Sequence, residues 1–276
     1  MKHIYIIILS LLALAACTKT HAPETPQTST ITYQLSADIQ MEIKSTPETA
    51  VNVLWYGVYI KQANGYVYMP DLSAFVDITN PMSMTVPVTL ISGQEYKIAF
   101  VAQYKNVEDE TYTYQVDYDN FLLKLNNSTN LAAIGEKLDV YTNYDIVNTA
   151  DQVNNKPITL TRPVAQINIA TSSSDIPSNM NISLTNVAQA YNLFEKTYTY
   201  SPSDNTVAFT GTPLGGTLEL QETQYNKLAT FYVFGTENQK LSCEMNLQYT
   251  STPAKEVRVS DITVAPNHKT NIVGNI

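Results

Sequence analysis

The sequence predicts an all-β protein made of two tandem antiparallel β-sandwich domains with one or two short crossing helices. Three observations carry this prediction. Apolar and polar residues alternate along many short segments, which is the period of a half-buried strand. Tyrosine is abundant, with 19 in 276 residues, and aromatic residues favour strands. Turn-forming residues separate the segments at irregular intervals of about 8–15 residues, as in sandwiches.

The N-terminus has the pattern of a bacterial lipoprotein signal. Residues 1–16 contain an apolar run that is too short to span a membrane, as in a secretion signal. The sequence Leu14-Ala15-Ala16-Cys17 resembles a lipobox, in which signal peptidase cleaves between Ala16 and the acylated Cys17. We therefore expect a mature chain that begins at Cys17. Its acyl chains would hold it in the cell outer membrane, exposed at the surface.

Composition divides the rest of the chain into a tether and two domains. Residues 17–29 lack large apolar side chains and contain two prolines, which predicts a flexible tether. Residues 30–148 and 157–276 each hold enough alternating segments for a sandwich core of their own. The polar stretch 143–156 between them, rich in Asn, Asp and Thr, predicts the boundary.

The first domain is predicted from two turn signals and one change of period. Asn64-Gly65 and Ser92-Gly93 suit turns with positive φ, so the strands that flank each turn are expected to pair antiparallel. Apolar residues at helical spacing over residues 119–139 predict the short crossing helices. Trp55, at a strand centre, is expected in the core. The expected strands are residues 31–43, which could be one long strand or a bent pair, and residues 53–60, 66–69, 86–90 and 96–104.

The second domain ends in the clearest alternation of the chain, over residues 241–249. This alternation places Cys243 on the core face. With Cys17 acylated, Cys243 has no disulfide partner, and a buried structural thiol is expected. The other expected strands are residues 158–160, 164–170, 182–187, 207–209, 218–220 and 228–234.

Charge and histidine content exclude several functions. The net charge is -9 and no Lys/Arg cluster occurs, which argues against a nucleic-acid partner. Of three histidines only His268 lies in a predicted domain, so His-based triads and multi-His metal sites are excluded. Acidic residues 108–110 and 117–120 could bind Ca²⁺, but they lack the glycine and final glutamate of a calcium loop. We predict no metal, no cofactor and no enzyme activity.

Tyrosines give the remaining chemical signal. Tyr104, Tyr112, Tyr114 and Tyr118 share one parity and would form an aromatic face if they lay on one continuous strand. An exposed face could stack on sugar rings or bind a partner protein. A face turned inward would belong to the core or its rim. Both alternatives are open at the level of sequence.

Several segments resemble the fimbrillin-type lipoproteins of Bacteroidales. They are TLTRPVAQINI at residues 159–169, AYNLF at 190–194, PNHKTNIVGN at 266–275 and WYGVY at 55–59. The resemblance implies two transthyretin-like, Greek-key sandwiches and a role as fimbrial stalk, anchor or tip, or as a surface protein that never polymerises. Stalk subunits of that family are trimmed by an arginine-specific protease. Here Arg162 and Arg258 are the only arginines, so trimming near the N-terminus would need Lys44 or another residue.

The resemblance also draws attention to the last strand. It could complete a neighbour's sheet by strand exchange, or it could be an ordinary edge strand of its own domain. The residues concerned are Asn271, Ile272, Val273, Gly274, Asn275 and Ile276. We therefore expect a lipid-anchored fimbrillin-like protein that acts by assembly or adhesion. Its partners would be membrane lipid through Cys17, other fimbrillin-like subunits, or host or bacterial surface ligands. The alternative is a surface glycan-binding lipoprotein of a polysaccharide-uptake system.

Overall fold

The computed structural model describes residues 27–37, 50–79, 83–126, 135–150, 155–201 and 205–276. Within them the protein is all-β, as predicted, with short 3₁₀ turns at Pro70–Leu72 and Gly135–Leu138. The signal, Cys17 and Lys44 lie outside the described residues. The strands of the N-terminal half are β1 Thr28–Ala37, β2 Val53–Gln62, β3 Gly65–Tyr68, β4 Ala74–Asp77, β5 Met84–Ile91, β6 Glu95–Gln103, β7 Tyr114–Asp117, β8 Leu122–Leu125, β9 Tyr141–Asn148 and β10 Asn155–Leu160. Those of the C-terminal half are β11 Val164–Thr171, β12 Asn179–Thr185, β13 Ala190–Asn192, β14 Tyr198–Thr199, β15 Val207–Gly211, β16 Thr217–Leu220, β17 Thr223–Phe234, β18 Lys240–Gln248, β19 Lys255–Thr263 and β20 Lys269–Gly274.

The N-terminal sandwich packs a three-stranded sheet on a five-stranded one. The first sheet has the order β10-β1-β5, and the second has the order β3-β2-β6-β9. The strand β4 completes the second sheet: it pairs with the first residues of β2, while β3 pairs with the last ones. The alternation predicted for β1 buries one face of the strand. The hairpin β2–β3 at Asn64-Gly65 forms as predicted. The core between the sheets includes Ile31, Tyr33, Leu35, Leu54, Val58, Val86, Val88, Leu90, Ile98, Phe100, Tyr141 and Leu160.

The C-terminal sandwich packs two four-stranded sheets. Their orders are β16-β17-β11-β20 and β15-β12-β18-β19. Every second residue of β18 is buried, which confirms the predicted alternation. The core includes Ile167, Ile169, Met180, Ile182, Leu184, Phe231, Val233, Leu241, Cys243, Met245 and Leu247.

The two sandwiches share one connectivity. In each, the first strand lies parallel to the last: β1 pairs with β10, and β11 pairs with β20. On its other side the first strand pairs antiparallel, with β5 or with β17. Parallel neighbours need a long crossover, and here the crossover is the rest of the sandwich. The last strand therefore closes each sandwich onto its first.

A third core joins the two halves. A small sheet of order β14-β13-β8-β7 takes two strands from each half and covers the outer face of the β2–β6–β9 sheet. Trp55 lies in this core, 1% exposed, as predicted. The buried residues include Trp55, Tyr59, Val101, Tyr114, Leu123, Val164, Tyr191, Phe194, Tyr232 and Phe234.

Some local predictions were wrong. Phe121, Leu122 and Leu125, which were assigned to a helix, belong to the turn and strand of the β7–β8 hairpin. The next described residues, Gly135–Leu138, form a 3₁₀ turn, and the part of the helix prediction over residues 127–134 lies outside the described residues. Cross-strand burial decided this, because a short apolar run fits either period. The turn at Ser92-Gly93 does not join paired strands: β5 pairs with β1, and β6 pairs with β2 and β9, so the turn connects two sheets.

The polar stretch 143–156 was predicted as the boundary between the two domains. Most of it forms β9 and the start of β10, and β10 pairs with β1 of the N-terminal sandwich. Polar side chains are tolerated there because β9 is an edge strand. In the C-terminal sandwich, the strand β19, for which we predicted no element, pairs with β18 and forms one edge of the sheet β15-β12-β18-β19. The domain limits 30–148 and 157–276 stay predictions.

The burial of Cys243 leads to a testable prediction about the reactivity of its thiol. Cys243 is fully buried, and burial raises the pKa of its thiol to about 12. Folding thus favours the protonated thiol. The stabilisation that the raised thiol pKa gives to the folded protein is complete below the pKa of the unfolded chain, about 8.5, and is lost as the pH rises through the pKa of the folded protein. We expect no reaction with a disulfide reagent at pH 8 in the native protein and one thiol per chain after unfolding.

A second thiol after unfolding would mean that Cys17 is not blocked by lipid. Rapid reaction of Cys243 in the native protein would contradict its structural role. The Cys243→Ser variant is the control, because it should release no thiol in either state.

Candidate binding surface

Two pairs of stacked rings form an aromatic surface where the β7–β8 hairpin meets the edge of the large N-terminal sheet. We use this name for Tyr68, Phe75, Tyr112 and Tyr118. Tyr68 ends β3 and Phe75 lies in β4, while Tyr112 precedes β7 and Tyr118 lies in the β7–β8 turn. The surface therefore unites an edge strand with the hairpin that packs over it.

The geometry of the rings is well defined. Tyr68 and Tyr118 stack with centroids 4.4 Å apart and planes at 3°. Phe75 and Tyr112 stack with centroids 4.7 Å apart and planes at 28°. Trp55 packs behind Tyr118, with centroids 5.6 Å apart. Such contacts are worth about 0.5–1.5 kcal/mol each beyond burial, so they hold the exposed rings in place.

Acidic side chains border the aromatic surface. Lys124 donates to the Asp117 carboxylate at 2.9 Å and lowers the pKa of that carboxyl, and Asn120 acts in the same direction. The neighbouring Asp119 carboxylate accepts no hydrogen bond from the described part of the chain. On the other side, Lys105 lies 3.3 Å from Glu110. The border is thus polar and carries more acid than base.

Beneath the surface lies a hydroxyl without a partner. Tyr59 is fully buried, and within the described residues its hydroxyl makes no hydrogen bond. Burial raises the pKa of Tyr59 strongly, and the nearby groups Tyr68, Tyr118 and Asp119 add to the effect. An unpaired buried hydroxyl costs about 1–3 kcal/mol. The described residues hold four other buried polar atoms without a partner, on Gln166, Tyr200, Asn246 and Tyr249, so what distinguishes Tyr59 is its position under the aromatic surface, with its ring centroid 5.2 Å from that of Tyr68.

The four predicted tyrosines do not lie on one strand. Tyr114 is buried and donates to the Leu138 carbonyl at 2.6 Å, so it is a core residue. Tyr104 is partly buried, with the Lys137 ammonium 4.7 Å from its ring centroid. Tyr112 and Tyr118 do belong to the aromatic surface. The shared parity was misleading because residues 104–113 form a loop between β6 and β7.

Three residues of this region were not identified from sequence. Tyr59 and Tyr68 lie within the predicted hairpin, and Phe75 lies in a stretch for which we predicted no element. The available signal was Phe75 itself, a large apolar residue in a polar segment, which is 46% exposed in the structure. Its pairing with Tyr112 depends on a contact across 37 positions, which no local pattern reveals.

The last strand is in place in its own domain. β20 pairs in parallel with β11 at the edge of its sheet, and Asn168 donates to the Asn271 side chain at 2.9 Å. Ile272 and Ile276 pack on the C-terminal core. Val273 is 38% exposed, and the outer edge of β20 has no neighbouring strand in the described sheets. Strand exchange by residues 271–276 stays a prediction.

A buried ion pair lies at the junction of the halves. Arg162 donates through Nε and Nη2 to both oxygens of Asp139, each at 2.6 Å, and through Nη2 to the Tyr141 hydroxyl at 2.6 Å. Arg162 also donates through Nη1 to the side-chain oxygen of Asn267, just before β20, at 3.4 Å. Burial raises the pKa of Asp139, while Arg162, Tyr141 and the Val140 N–H oppose that effect. Because Arg162, Asp139 and Tyr141 all hydrogen-bond to one another, we assign this cluster a structural role.

A cavity of about 530 Å³ lies between the small sheet and the end of β17. Its walls include Leu122, Val187 and Phe234. Its rim includes Asn126 and Asn205, which border residues outside the described part of the chain. We assign it no ligand for that reason.

Two further searches of the described residues concern metals and membranes. No group of three or more His, Cys, Asp or Glu side chains is arranged there to hold a metal ion. No helix in that part of the chain is long and apolar enough to cross a membrane.

Fold and surface together define an all-β tandem-sandwich protein with an exposed aromatic surface at a sheet edge. The chain belongs to a family of unknown function, DUF6562, which its residues 25–276 match. No protein with a curated description matches it.

Solved structures show the same fold. A candidate adhesin from Bacteroides thetaiotaomicron has a TM-score of 0.51 at 11% identity, covering 86% of this chain and 81% of that one. A candidate adhesin from Bacteroides ovatus has a TM-score of 0.50 at 10% identity, covering 89% and 90%. A candidate polysaccharide-binding protein from B. thetaiotaomicron has a TM-score of 0.50 at 13% identity, covering 82% and 78%.

Proposed function

We propose that the protein is a lipid-anchored, fimbrillin-like protein of the cell surface that acts by assembly or adhesion and not by catalysis. The lipobox at Cys17 supports the anchor. The tandem sandwiches, shared with candidate adhesins, support the class. Among the possible roles, we favour a resident anchor or adhesin that keeps its lipid over a stalk subunit that loses it.

The observation that carries this choice is the position of β1. It lies between β5 and β10 and is hydrogen-bonded to both. Its side chains Ile31, Tyr33 and Leu35 are at most 3% exposed in the core. Fully burying each such side chain stabilises by about 1.5–3 kcal/mol, so loss of β1 would open the sandwich unless another strand replaced it. A retained β1 keeps the lipid attached.

The tether sets how close the sandwich stays to the membrane. Ten residues separate Cys17 from Thr28, and a chain of that length reaches at most about 35 Å. The N-terminal sandwich therefore stays near the lipid. This arrangement fits a protein that presents its C-terminal half outward.

The test is to label cells with a palmitate analogue and then treat them with an external protease. We expect a labelled protein that the protease removes, and no label on the Cys17→Ser variant. An unlabelled wild type, or one protected from protease in intact cells, would contradict the proposal. Unboiled extracts then separate the roles: a labelled monomer supports an anchor or adhesin, whereas a ladder of SDS-resistant multimers would show a polymerising subunit.

A further inference from the structure

We propose that the aromatic surface is a carbohydrate-binding site that takes neutral sugars, with Phe75 and Tyr118 as the rings on which a sugar packs. The inference deepens the adhesive role proposed above by naming its ligand class. It depends on the stacked rings, the unpaired hydroxyls and the charge of the border.

The rings offer a rigid apolar platform. Phe75 is 46% exposed and Tyr118 is 37% exposed, so both present surface to a ligand although each is stacked on a second ring. The C–H groups on one face of a sugar ring are weak donors that pack on the electron-rich face of an aromatic ring. Because stacking already fixes these side chains, little conformational entropy is lost on binding.

The rims of the rings offer unused hydrogen bonds. Within the described residues, the hydroxyls of Tyr68, Tyr112 and Tyr118 have no hydrogen-bond partner. Some tyrosine hydroxyls elsewhere are paired, as Tyr33 is with Asp145 at 3.0 Å and Tyr198 with the Pro163 carbonyl at 2.7 Å, whereas within the described residues those of Tyr200 and Tyr249 are unpaired too. Phenol hydroxyls both donate and accept, which matches the hydroxyls of a sugar.

A carboxylate beside the rings adds to the case for a sugar. The Asp119 carboxylate accepts no hydrogen bond within the described chain, and it can accept from sugar hydroxyls. The Tyr59 hydroxyl beneath the rings is fully buried, so a sugar would contact Asp119 and the ring hydroxyls and not this group.

The charge of the border favours a neutral sugar over an acidic glycan. Of the three bordering carboxylates, Glu110 is paired with Lys105 at 3.3 Å and Asp117 with Lys124 at 2.9 Å, which leaves the negative charge of Asp119. This charge, on a chain of net charge -9, repels uronic acids and sialic acid. The hydroxyls of a neutral sugar carry no charge and meet no such repulsion.

The test uses the purified mature protein in mild detergent and four neutral polysaccharides: yeast mannan, amylopectin, laminarin and galactan. Polygalacturonate is the acidic comparison. In affinity electrophoresis we expect at least one neutral polymer to retard the protein and polygalacturonate to retard it less. Phe75→Ala and Tyr118→Ala should each weaken binding about tenfold, which corresponds to about 1.4 kcal/mol for the loss of one ring contact.

Matched controls lie in the other half of the chain. Tyr225, also partly exposed, and Leu214, which is 39% exposed, should tolerate alanine with no change in binding. The Tyr118→Phe variant keeps the ring and removes one hydroxyl, so we expect a loss of only a few-fold. Unchanged melting temperatures show that the variants are folded.

Three results would overturn the inference. They are no retardation by any of the four neutral polymers, stronger retardation by polygalacturonate, and equal loss in the controls. Cross-linking that joins the aromatic surface to a second protein, with no effect of the neutral polymers, would assign it to a protein partner. Because binding is measured on purified protein, it can fail while the lipid label and surface exposure succeed, and the reverse also holds.

Discussion

Replacing Arg162 by alanine is expected to lower the free energy of unfolding by about 3–5 kcal/mol, because it leaves the buried Asp139 carboxylate without its cation. The two side chains are only 2% and 4% exposed, so water cannot take over that role. Urea unfolding followed by near-ultraviolet circular dichroism gives the free energy of unfolding. Since the cluster joins β9 to the start of the C-terminal half, we also expect the two halves to unfold less cooperatively.

The chain supplies its own control, since it has one other arginine. Arg258 pairs with Glu244 at 3.5 Å, and its side chain is 75% exposed. Arg258→Ala should therefore change the free energy of unfolding by no more than about 0.5 kcal/mol. The double variant Arg162→Met with Asp139→Leu should recover much of the loss, because it removes both buried charges. An Arg162→Ala protein as stable as Arg258→Ala would refute the role of the cluster.

Replacing Gly57 by alanine is expected to cost about 3 kcal/mol, because a methyl group there has no space. A Cβ atom at Gly57 would lie 2.0 Å from Cη2 and 2.2 Å from Cζ2 of Trp55. The indole is buried in the third core and cannot swing into water. Thermal and urea unfolding of the variant measure the cost.

The clash with Trp55 is tested by removing it. In a Trp55→Leu background, which already carries a cavity cost of its own, the added methyl group should cost at least about 1 kcal/mol less than in the wild type. Gly274→Ala is the control, since a Cβ there would lie 3.7 Å from Ile276 in ordinary contact. If the Gly57 and Gly274 variants were equally stable, the packing of Trp55 against β2 would be wrong.

Local pattern was enough to predict much of the fold. The alternation of β18 and of the described part of β1 appears in the structure as buried and exposed positions, and the Asn64-Gly65 hairpin forms. These features depend on neighbours two positions apart or on a single turn, and such information is local. Cys243 and Trp55 were placed in the core for the same reason.

The candidate surface was predicted only in part. Tyr112 and Tyr118 were identified by parity, but Tyr114, of the same parity, is a core residue. Parity says which side of a strand a residue occupies and does not say what covers that side. Here the β7–β8 hairpin covers Trp55 and leaves Phe75 exposed.

The sequence by itself determined the strand-rich class and the alternating core positions, and it carries the prediction of a lipid anchor at Cys17, because each depends on residue type and short spacing. Only the tertiary structure decided that two halves share a sheet and a third core, that Arg162 meets Asp139, and that Phe75 stacks on Tyr112. These contacts join residues 23 or more positions apart. Their partners are selected by the packing of whole sheets, which no local period records.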